Sequence, residues 1–468
     1  YTGDDRQTIA MPVGGLCAGQ VYLAGDGRLA HWDIFNIVNF TGYGADNYQV
    51  GRPPVFPLEQ GFALEVSSGG NTVQGCLHTE PEIRFSGEYP IGTVEFKNPD
   101  HPLVITQETF SPFIPLNEED SALPASIVQF TVKNTGQQPV KGRLVGWLEN
   151  AVAVQSSKAI DGFRSNRVIR RDGLAMVFGS ARAVPQPQSH RAPIVLADFE
   201  AEDYGDWAVE GEAFGSRPAT GTLENQQRVS GFAGEGLVNT FLGGDRPQGK
   251  LTSPPFKIER NFINFLIGGG SHKDQTAINL LVDGKVARTA VGRDNEKLEW
   301  RYWDVRDLAG KEARIEIVDR ASGPWGHINI DQIELADKPR SGPTGPLHEQ
   351  SDFGTMAIAA IGPSDATSTN PAMRIDMPDG IFNFPREARE AVELPFGQKL
   401  IGGLGQPFDL PAGGETTLTF LLTWHFPNRT EQGKQRGNFY ATRFRSAADV
   451  AEYVARNLDR LAGETRRW

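Results

Sequence analysis

The densest group of side chains able to do acid–base chemistry is Glu118-Glu119-Asp120. Acid–base cleavage of a sugar bond needs two carboxylates facing each other. They stand about 5 Å apart where configuration is retained and roughly 6.5–9.5 Å apart where it is inverted, one of them kept protonated by burial. Three consecutive acids in a Pro-flanked loop do not face one another and stay hydrated, so this segment reads as a solvated loop, with Asp120-Ser121 free to help dock a neighbouring domain. His31 and His425 suggest an acid–base or metal pair, but each sits beside a tryptophan in a strand-like run with no third ligand nearby, which reads as structural. Trp32 and Trp424 could stack on a sugar. Each lies in an apolar run with another aromatic within reach, so both read as core, where tryptophan buries a large area. The glycines Gly14, Gly15, Gly19, Gly25 and Gly27 do not form a phosphate loop, because no Gly-Lys-Ser/Thr follows and no helix opens after them. No residue is assigned a catalytic role.

The middle of the chain offers binding chemistry instead. Asp198 and Glu200 lie near the start of a block of strand-like runs and Asp331 near its end. In a jelly roll the terminal strands commonly pair, which would bring three hard oxygen ligands together for calcium, with backbone carbonyls completing about six to eight ligands. The plainer alternative is ordinary solvent-facing acids. Trp207, Trp300, Trp303 and Trp325 crowd into the same block. Trp325 stands in a loop, Ser322-Gly323-Pro324-Trp325-Gly326, next to His327. Trp207, Trp325 and His327 are the carbohydrate-binding candidates, against a reading as core or edge-covering aromatics.

The elements that must position these residues are mostly strands. The chain has 468 residues with 53 Gly and 31 Pro, a composition of many turns and several β domains. Short runs such as Gly61–Val66, Gly92–Phe96, Leu103–Thr109, Ser126–Lys133, Lys141–Leu148 and Gly173–Gly179 suit a large antiparallel sandwich. In one of them Val128, Phe130 and Val132 alternate with Ile127, Gln129, Thr131 and Lys133, the mark of a half-buried strand. Residues 11–36 read as strand, tight turn at Asp26-Gly27, strand. Pro- and polar-rich linkers span 184–193 and 337–346. Between them runs a second series: Ile194–Glu200, Phe256–Ile267 giving way to a loop at Gly268-Gly269-Gly270, Ala277–Val282, Lys285–Ala290, Ala313–Asp319 and His327–Leu335. The first series resumes with Gly354–Ile361, Lys399–Leu404 and Thr416–Trp424. Ser446-Ala447-Ala448-Asp449 then resembles a capping box, and Val450, Tyr453, Val454, Leu458 and Leu461 follow at helical spacing.

The net charge of −12 argues against a phosphate backbone or an anionic membrane surface as partner. No run reaches the roughly 20 apolar residues of a membrane span. Cys17 and Cys76, the two cysteines, read as buried thiols.

Four segments together resemble one known family. They are MPVGGLCAGQVYLAGDGRLAHWDIFN at 11–36, Phe110-Ser111-Pro112-Phe113-Ile114-Pro115-Leu116-Asn117 with Asp120-Ser121 and Leu123-Pro124, Thr423-Trp424-His425-Phe426-Pro427-Asn428-Arg429, and Arg443-Phe444 leading into Ala448-Asp449-Val450-Ala451. In this order they resemble the N-terminal region of glycoside hydrolase family 116, which includes bile-acid β-glucosidase, the non-lysosomal glucosylceramidase. Cys17 departs from that pattern. The middle block is similar to a sandwich module appended to bacterial fructan-cleaving and other secreted glycosidases, often carbohydrate-binding and sometimes holding calcium.

The resemblance implies an all-β chain: a large antiparallel β-sandwich in 1–193 and 338–445, a jelly-roll β-sandwich inserted at 194–337, and a C-terminal helix at 446–468. That helix would lead to an (α/α)6 catalytic domain outside these residues, downstream or in another chain, acting on a carbohydrate or glycolipid substrate with no nucleic-acid partner. No cofactor is required beyond possible structural calcium in the inserted block, and a secreted or periplasmic location is expected. The other class of reading is a stand-alone carbohydrate-binding or structural protein of two sandwiches. The hydrolase reading expects a helix whose core is incomplete in this chain. The stand-alone reading expects its Val450/Tyr453/Leu461 face to be buried.

Overall fold

Alternating apolar residues give the largest sheet two greasy faces, and both are covered. A computed structural model describes residues 1–37, 40–42, 51–171, 173–184, 191–340, 346–377, 380–385, 389–431 and 434–468. The chain divides into two units, Tyr1–Val184 with Gly345–Trp468, and Pro185–Thr344. The two linker segments of the sequence reading fall largely on 185–190 and 341–345, outside the described residues.

In the first unit nine antiparallel strands run in the order Ala391–Pro395, Gly162–Arg171, Leu174–Ala183, Thr355–Ile361, Glu415–His425, Ala125–Asn134, Leu103–Phe110, Ile91–Lys97 and Glu82–Glu88. On one face Val128, Phe130, Val132, Met356, Ile358, Phe420 and Leu422 pack against a five-stranded sheet built on Gln60–Ser68, Val140–Glu149 and Ile401–Leu410. Side chains of alternate residues point to opposite faces. Ala125, Ile127, Met176, Ala357, Ala359 and Leu421 therefore form a second apolar surface. The half-buried pattern expected for Ser126–Lys133 holds only towards its end: Thr131 and Lys133 meet solvent, whereas Ser126 and Ile127 are buried.

That second surface is where the C-terminal helix, Ala447–Arg467, lies. Ser446 caps it, its hydroxyl accepting from the Asp449 amide at 3.3 Å. Val450, Ala451, Val454, Leu461 and Ala462 are buried against the sheet, with Tyr453 and Leu458 half-buried at the margin. Ala357 and Ala359 beneath the helix are small, which lets its axis approach the sheet closely. The expectation that the helix lacks a completed core in this chain is thus corrected: the sheet supplies that core.

A three-stranded sheet, Ala10–Pro12, Gln20–Ala24 and Leu29–Asp33, carries the strand–turn–strand of residues 11–36, with Leu23 opposite Leu29. Gly27 occupies φ +88° at the turn, and a Cβ there would press on Phe96 and Gln107. Cys17 is exposed, not buried, and Cys76 is half-buried; both are free thiols. Cys17 sits in a left-handed turn at φ 56°, on the outside of the glycine-rich segment.

The second unit has two antiparallel sheets facing across their own core. One contains Ile194–Ala197, Ile328–Ala336, Phe262–Gly269 and Asn295–Asp304, joined by Val238–Asn239; the other runs from Ala208–Gly211 to Lys285–Ala290. The single run expected at Phe256–Ile267 is two strands, Phe256–Lys257 and Phe262–Gly269, because polar Glu259-Arg260-Asn261 breaks the apolar pattern. Gly268 and Gly269 continue the second strand instead of opening a loop.

Leu174–Ala183 and Thr355–Ile361, which flank the second unit in sequence, are hydrogen-bonded neighbours in one sheet, with Gly179 opposite Met356. Replacing 185–344 by a short Gly/Ser linker should therefore leave a soluble, cooperatively unfolding first unit. Insoluble protein, or a broad non-cooperative transition, would contradict this. In the full chain, Leu461→Ala should lower the urea stability of the first unit by about 2–5 kcal/mol, the range for deleting a wholly buried leucine side chain.

Candidate functional site

The four segments singled out in the sequence converge on the helix. Leu16 N donates to the Ser121 carbonyl at 2.7 Å, and a Cβ at Gly15 would collide with the Leu123 carbonyl, so only glycine allows this backbone approach. Ser126 Oγ donates to Val13 O at 2.9 Å and Trp424 Nε1 to Ala18 O at 2.7 Å. Thr423 Oγ1 donates to Ala447 O at 2.8 Å, and Phe113 N to Thr465 Oγ1 at 3.2 Å. Asn36, at φ 58°, gives its amide to the carbonyls of Ser351 and Phe426 and accepts from Asn438.

At the centre lies Asp120. The solvated-loop reading of Glu118-Glu119-Asp120 fails for this residue: it lies within a short helical turn, Glu118–Ser121, capped by Asn117, and is only 4% exposed. Tyr453 donates to its Oδ1 at 2.6 Å, and Arg460 and Asn117 to its Oδ2 at 2.8 and 2.9 Å. Burial alone would push its carboxyl up. The bonds from Arg460, Tyr453 and Asn117, with the Arg460 charge, hold it below its ordinary value. A carboxylate so fully engaged is an anchor for the helix and cannot donate a proton near neutrality. The Asn117-x-x-Asp120 capping spacing was the available signal for it; the partners at 453 and 460 had none.

Trp32 and Trp424 are buried, at 1% and 0% exposure. His425 is buried too: its Nε2 meets the Phe444 carbonyl at 2.9 Å, and burial lowers its pKa, so it is a neutral structural group. His31 is buried beside Tyr22 at a ring distance of 5.5 Å.

A family model described as the N-terminal domain of β-glucosidase 2, glycosyl hydrolase family 116, matches residues 10–236. Residues 10–236 are thus similar to a family 116 N-terminal domain. It is 46% identical over 171 residues to a putative glycosyl hydrolase, ecdE, of Aspergillus rugulosus, a match covering 36% of this chain and 24% of that protein. The chain thus spans about a quarter of that relative's length. Among solved structures, an adhesin domain of Lys-gingipain from Porphyromonas gingivalis is 13% identical with a TM-score of 0.23, covering 31% of this chain and 99% of that one. A tandem of family 22 carbohydrate-binding modules from Paenibacillus barcinonensis is 10% identical with a TM-score of 0.22, covering 53% and 96%. The family 116 match begins at the first strand and ends inside the second unit.

Of the binding candidates in that second unit, Trp325 and His327 come together, their rings stacked at 5.7 Å and 25°. Trp207 packs on Phe199 at 5.6 Å at the edge of the unit's own core. Trp303 is buried and Trp300 lies under the Arg340 guanidinium at 4.7 Å. His327 bonds to Asp245 at 2.7 Å and Glu296 at 3.1 Å. Burial works to lower its pKa, but the hydrogen bonds to Glu296 and Asp245 and their charges raise it above the usual histidine value. Asp319, wholly buried nearby, is pushed up to about 7 by desolvation. The sequence reading missed Asp245, Glu296 and Asp319; the first two lie far from His327 along the chain, with only Gly243-Gly244 before Asp245 marking a tight loop, and Asp319 lay unremarked at the end of the strand before it.

Asp331 is buried and is pushed up to about 6, first by desolvation, with Glu200 and Asp198 adding repulsion. Its two oxygens accept from the amides of Ala233 at 2.7 Å and Gln332 at 2.6 Å, while Glu200 accepts from Glu235 and Gly236. Among the described residues no three His, Cys, Asp or Glu are grouped closely enough to hold a metal.

The raised groups of the second unit have one sign of effect. A group whose folded pKa exceeds its unfolded value adds stability below the unfolded value and loses it as pH rises through the folded one. Asp319 should therefore cost the second unit stability as pH rises from about 4 through about 7, His327 should add to the fall above the ordinary histidine value of about 6.5, and Asp319→Asn should flatten the lower part of that fall. Calorimetry in EDTA checks this; a melting temperature rising with pH would contradict it. In the first unit, Asp120→Ala should cost roughly 1–3 kcal/mol in chemical denaturation, because Arg460 is partly exposed and regains water.

Proposed function

We propose that this chain is the non-catalytic N-terminal part of a glycoside hydrolase acting on β-glucosides or glucosylceramide-like glycosides. Retaining hydrolysis would be performed by an (α/α)6 barrel that follows in the same polypeptide or belongs to another. The observation that carries the reading is the engagement of Asp120. The family 116 motifs come together as a scaffold, and the buried acid at their centre is spent on Tyr453 and Arg460. A retaining glycosidase needs two carboxylates about 5 Å apart with a sugar between them, one of them held protonated. Asp120 meets neither condition.

The stand-alone binding reading expects a buried helix face, and Val450 and Leu461 are buried. That burial is the outcome the stand-alone reading expects and runs against the incomplete core expected of the hydrolase reading, whose support is the family 116 match over residues 10–236. An assay on aryl β-glucosides decides: the 468-residue chain should show no turnover. Turnover abolished by substituting one of its own carboxylates would overturn the proposal.

For the second unit the reading is a carbohydrate-binding module whose platform is Trp325 over His327. Trp207, set in the core edge, stabilises the unit instead. Calcium belongs to the same reading, bound by Asp331 with Glu200 and Asp198 drawn together, since as they stand the three are not grouped closely enough to hold a metal. Supporting it, Asp331 is buried beside two further acids, and among the described residues no Lys or Arg forms an ion pair with any of the three. Since no three acids are grouped for a metal, backbone carbonyls would complete its ligands. Calcium should raise the melting temperature of the second unit by several degrees, and Asp331→Asn should abolish the rise. Identical melting in calcium and in EDTA would overturn it.

A further inference from the structure

The second unit holds a buried imidazole with a carboxylate oxygen at each ring nitrogen. His327 Nδ1 lies 2.7 Å from Asp245 Oδ1, and Nε2 lies 3.1 Å from Glu296 Oε1. Neutral imidazole has one N–H and one lone pair, so it can serve one of these acceptors; the imidazolium serves both. The arrangement is that of a protonated ring at the junction of two loops and a strand.

The two carboxylates are not equivalent. Glu296 is fixed independently, its Oε2 accepting from Asn329 Nδ2 at 2.7 Å and Gln226 Nε2 at 3.2 Å. The Asp245 side chain is 26% exposed, and among the described residues its carboxylate bonds to His327 alone. Asp245 shares its loop with Phe241, whose ring meets His327 edge-on at 4.9 Å. Trp325 is stacked on the same ring, held at φ 59° in a loop pinned by His272 Nε2 to the Pro324 carbonyl at 3.0 Å. That loop also rests on the first one, since a Cβ at Gly326 would press on the carbonyls of Gly323 and Asp245.

We propose that His327 is a proton-operated latch that sets the position of the Trp325 ring. Below the latch point the imidazolium donates to both Asp245 and Glu296, ties the Phe241–Asp245 loop to the strand, and offers Trp325 a cation to stack on. Above it, the Nδ1 proton passes to bulk water or hydroxide. A lone pair then faces Asp245, the loop separates, and Trp325 loses its charged partner. Among the described residues the ionisable groups acting on the imidazole are Asp245, Glu296 and Asp319, all acids, so its deprotonation brings no compensating cation from them. The proposal supplies regulation to the platform of the carbohydrate-binding reading, and on that reading sugar retention would be strongest in acid.

The test uses the full chain labelled with 5-fluorotryptophan, with Trp325→Phe to assign the Trp325 resonance by 19F NMR. In the wild type that resonance should titrate with a midpoint above the ordinary histidine value of about 6.5. In His327→Gln it should hold one position from pH 5 to 9. Should His327→Gln not fold, Asp245→Asn, at a partly exposed position, should lower the wild-type midpoint. A Trp325 resonance that ignores pH, or titrates identically in His327→Gln and Asp245→Asn, overturns the latch. Retention on insoluble cellulose and β-1,3-glucan is measured alongside. No retention at any pH with a titrating Trp325 removes the binding reading and leaves the latch, whereas pH-independent retention with a silent Trp325 does the reverse.

Discussion

The structure of the first unit hangs on one constraint: a nine-stranded sheet whose central strands are apolar on both faces. Water cannot be tolerated on either side, because each exposed face would forfeit roughly 25 cal/mol per Å2 of apolar surface. One face takes a second sheet, the usual solution for a sandwich. The other takes a single helix, and almost everything distinctive about the chain follows from holding that helix in place. Asp120 receives Tyr453 and Arg460, Phe113 N reaches Thr465, Thr423 reaches Ala447, and Arg466 reaches Glu108 and Gln129 at 2.5 and 2.7 Å.

This explains how segments scattered over more than four hundred residues come together in one packed unit. The glycine-rich stretch at 14–19 exists so that its backbone can lie on Leu123 and below Trp424. The Phe110–Pro124 stretch delivers Asp120 and Ser121; the Thr423–Arg429 stretch delivers Trp424 and the Thr423 hydroxyl that bonds to the Ala447 carbonyl at the helix start. What these stretches share is packing, and Asp120 among them is occupied by it.

Legibility in the sequence followed the range of the interactions. Period-two and helical patterns are local, so the strands about Val128–Val132, the hairpin at Asp26-Gly27 and the helix from Ser446 could be read directly. The second buried face of Ser126–Ile127 could not, because it is created by a helix more than three hundred residues away. Asp120 looked hydrated for the same reason: its counter-charge is Arg460. In the second unit Trp325 and His327 were readable as neighbours in sequence, but the acids that give His327 its charge come from Asp245 and Glu296. The exposure of Cys17 was likewise invisible, since it depends on a left-handed turn that composition does not announce.

The second unit begins and ends on partnered strands: Ile194 lies opposite Leu335, and Arg191 forks onto Asp337 at 2.5 and 2.8 Å. Its two ends are therefore delivered side by side once it has folded. The sheet strands it separates, Leu174–Ala183 and Thr355–Ile361, must find each other across that whole stretch. Closing such a loop as random chain costs about 2–3 kcal/mol more than closing one roughly four doublings shorter. A unit that folds first removes most of that entropy, acting as an internal staple for the sheet's assembly. Pulse-labelled hydrogen exchange would then protect Phe262–Gly269 before Thr355–Ile361, and the reverse order would mean that the sheet nucleates unaided.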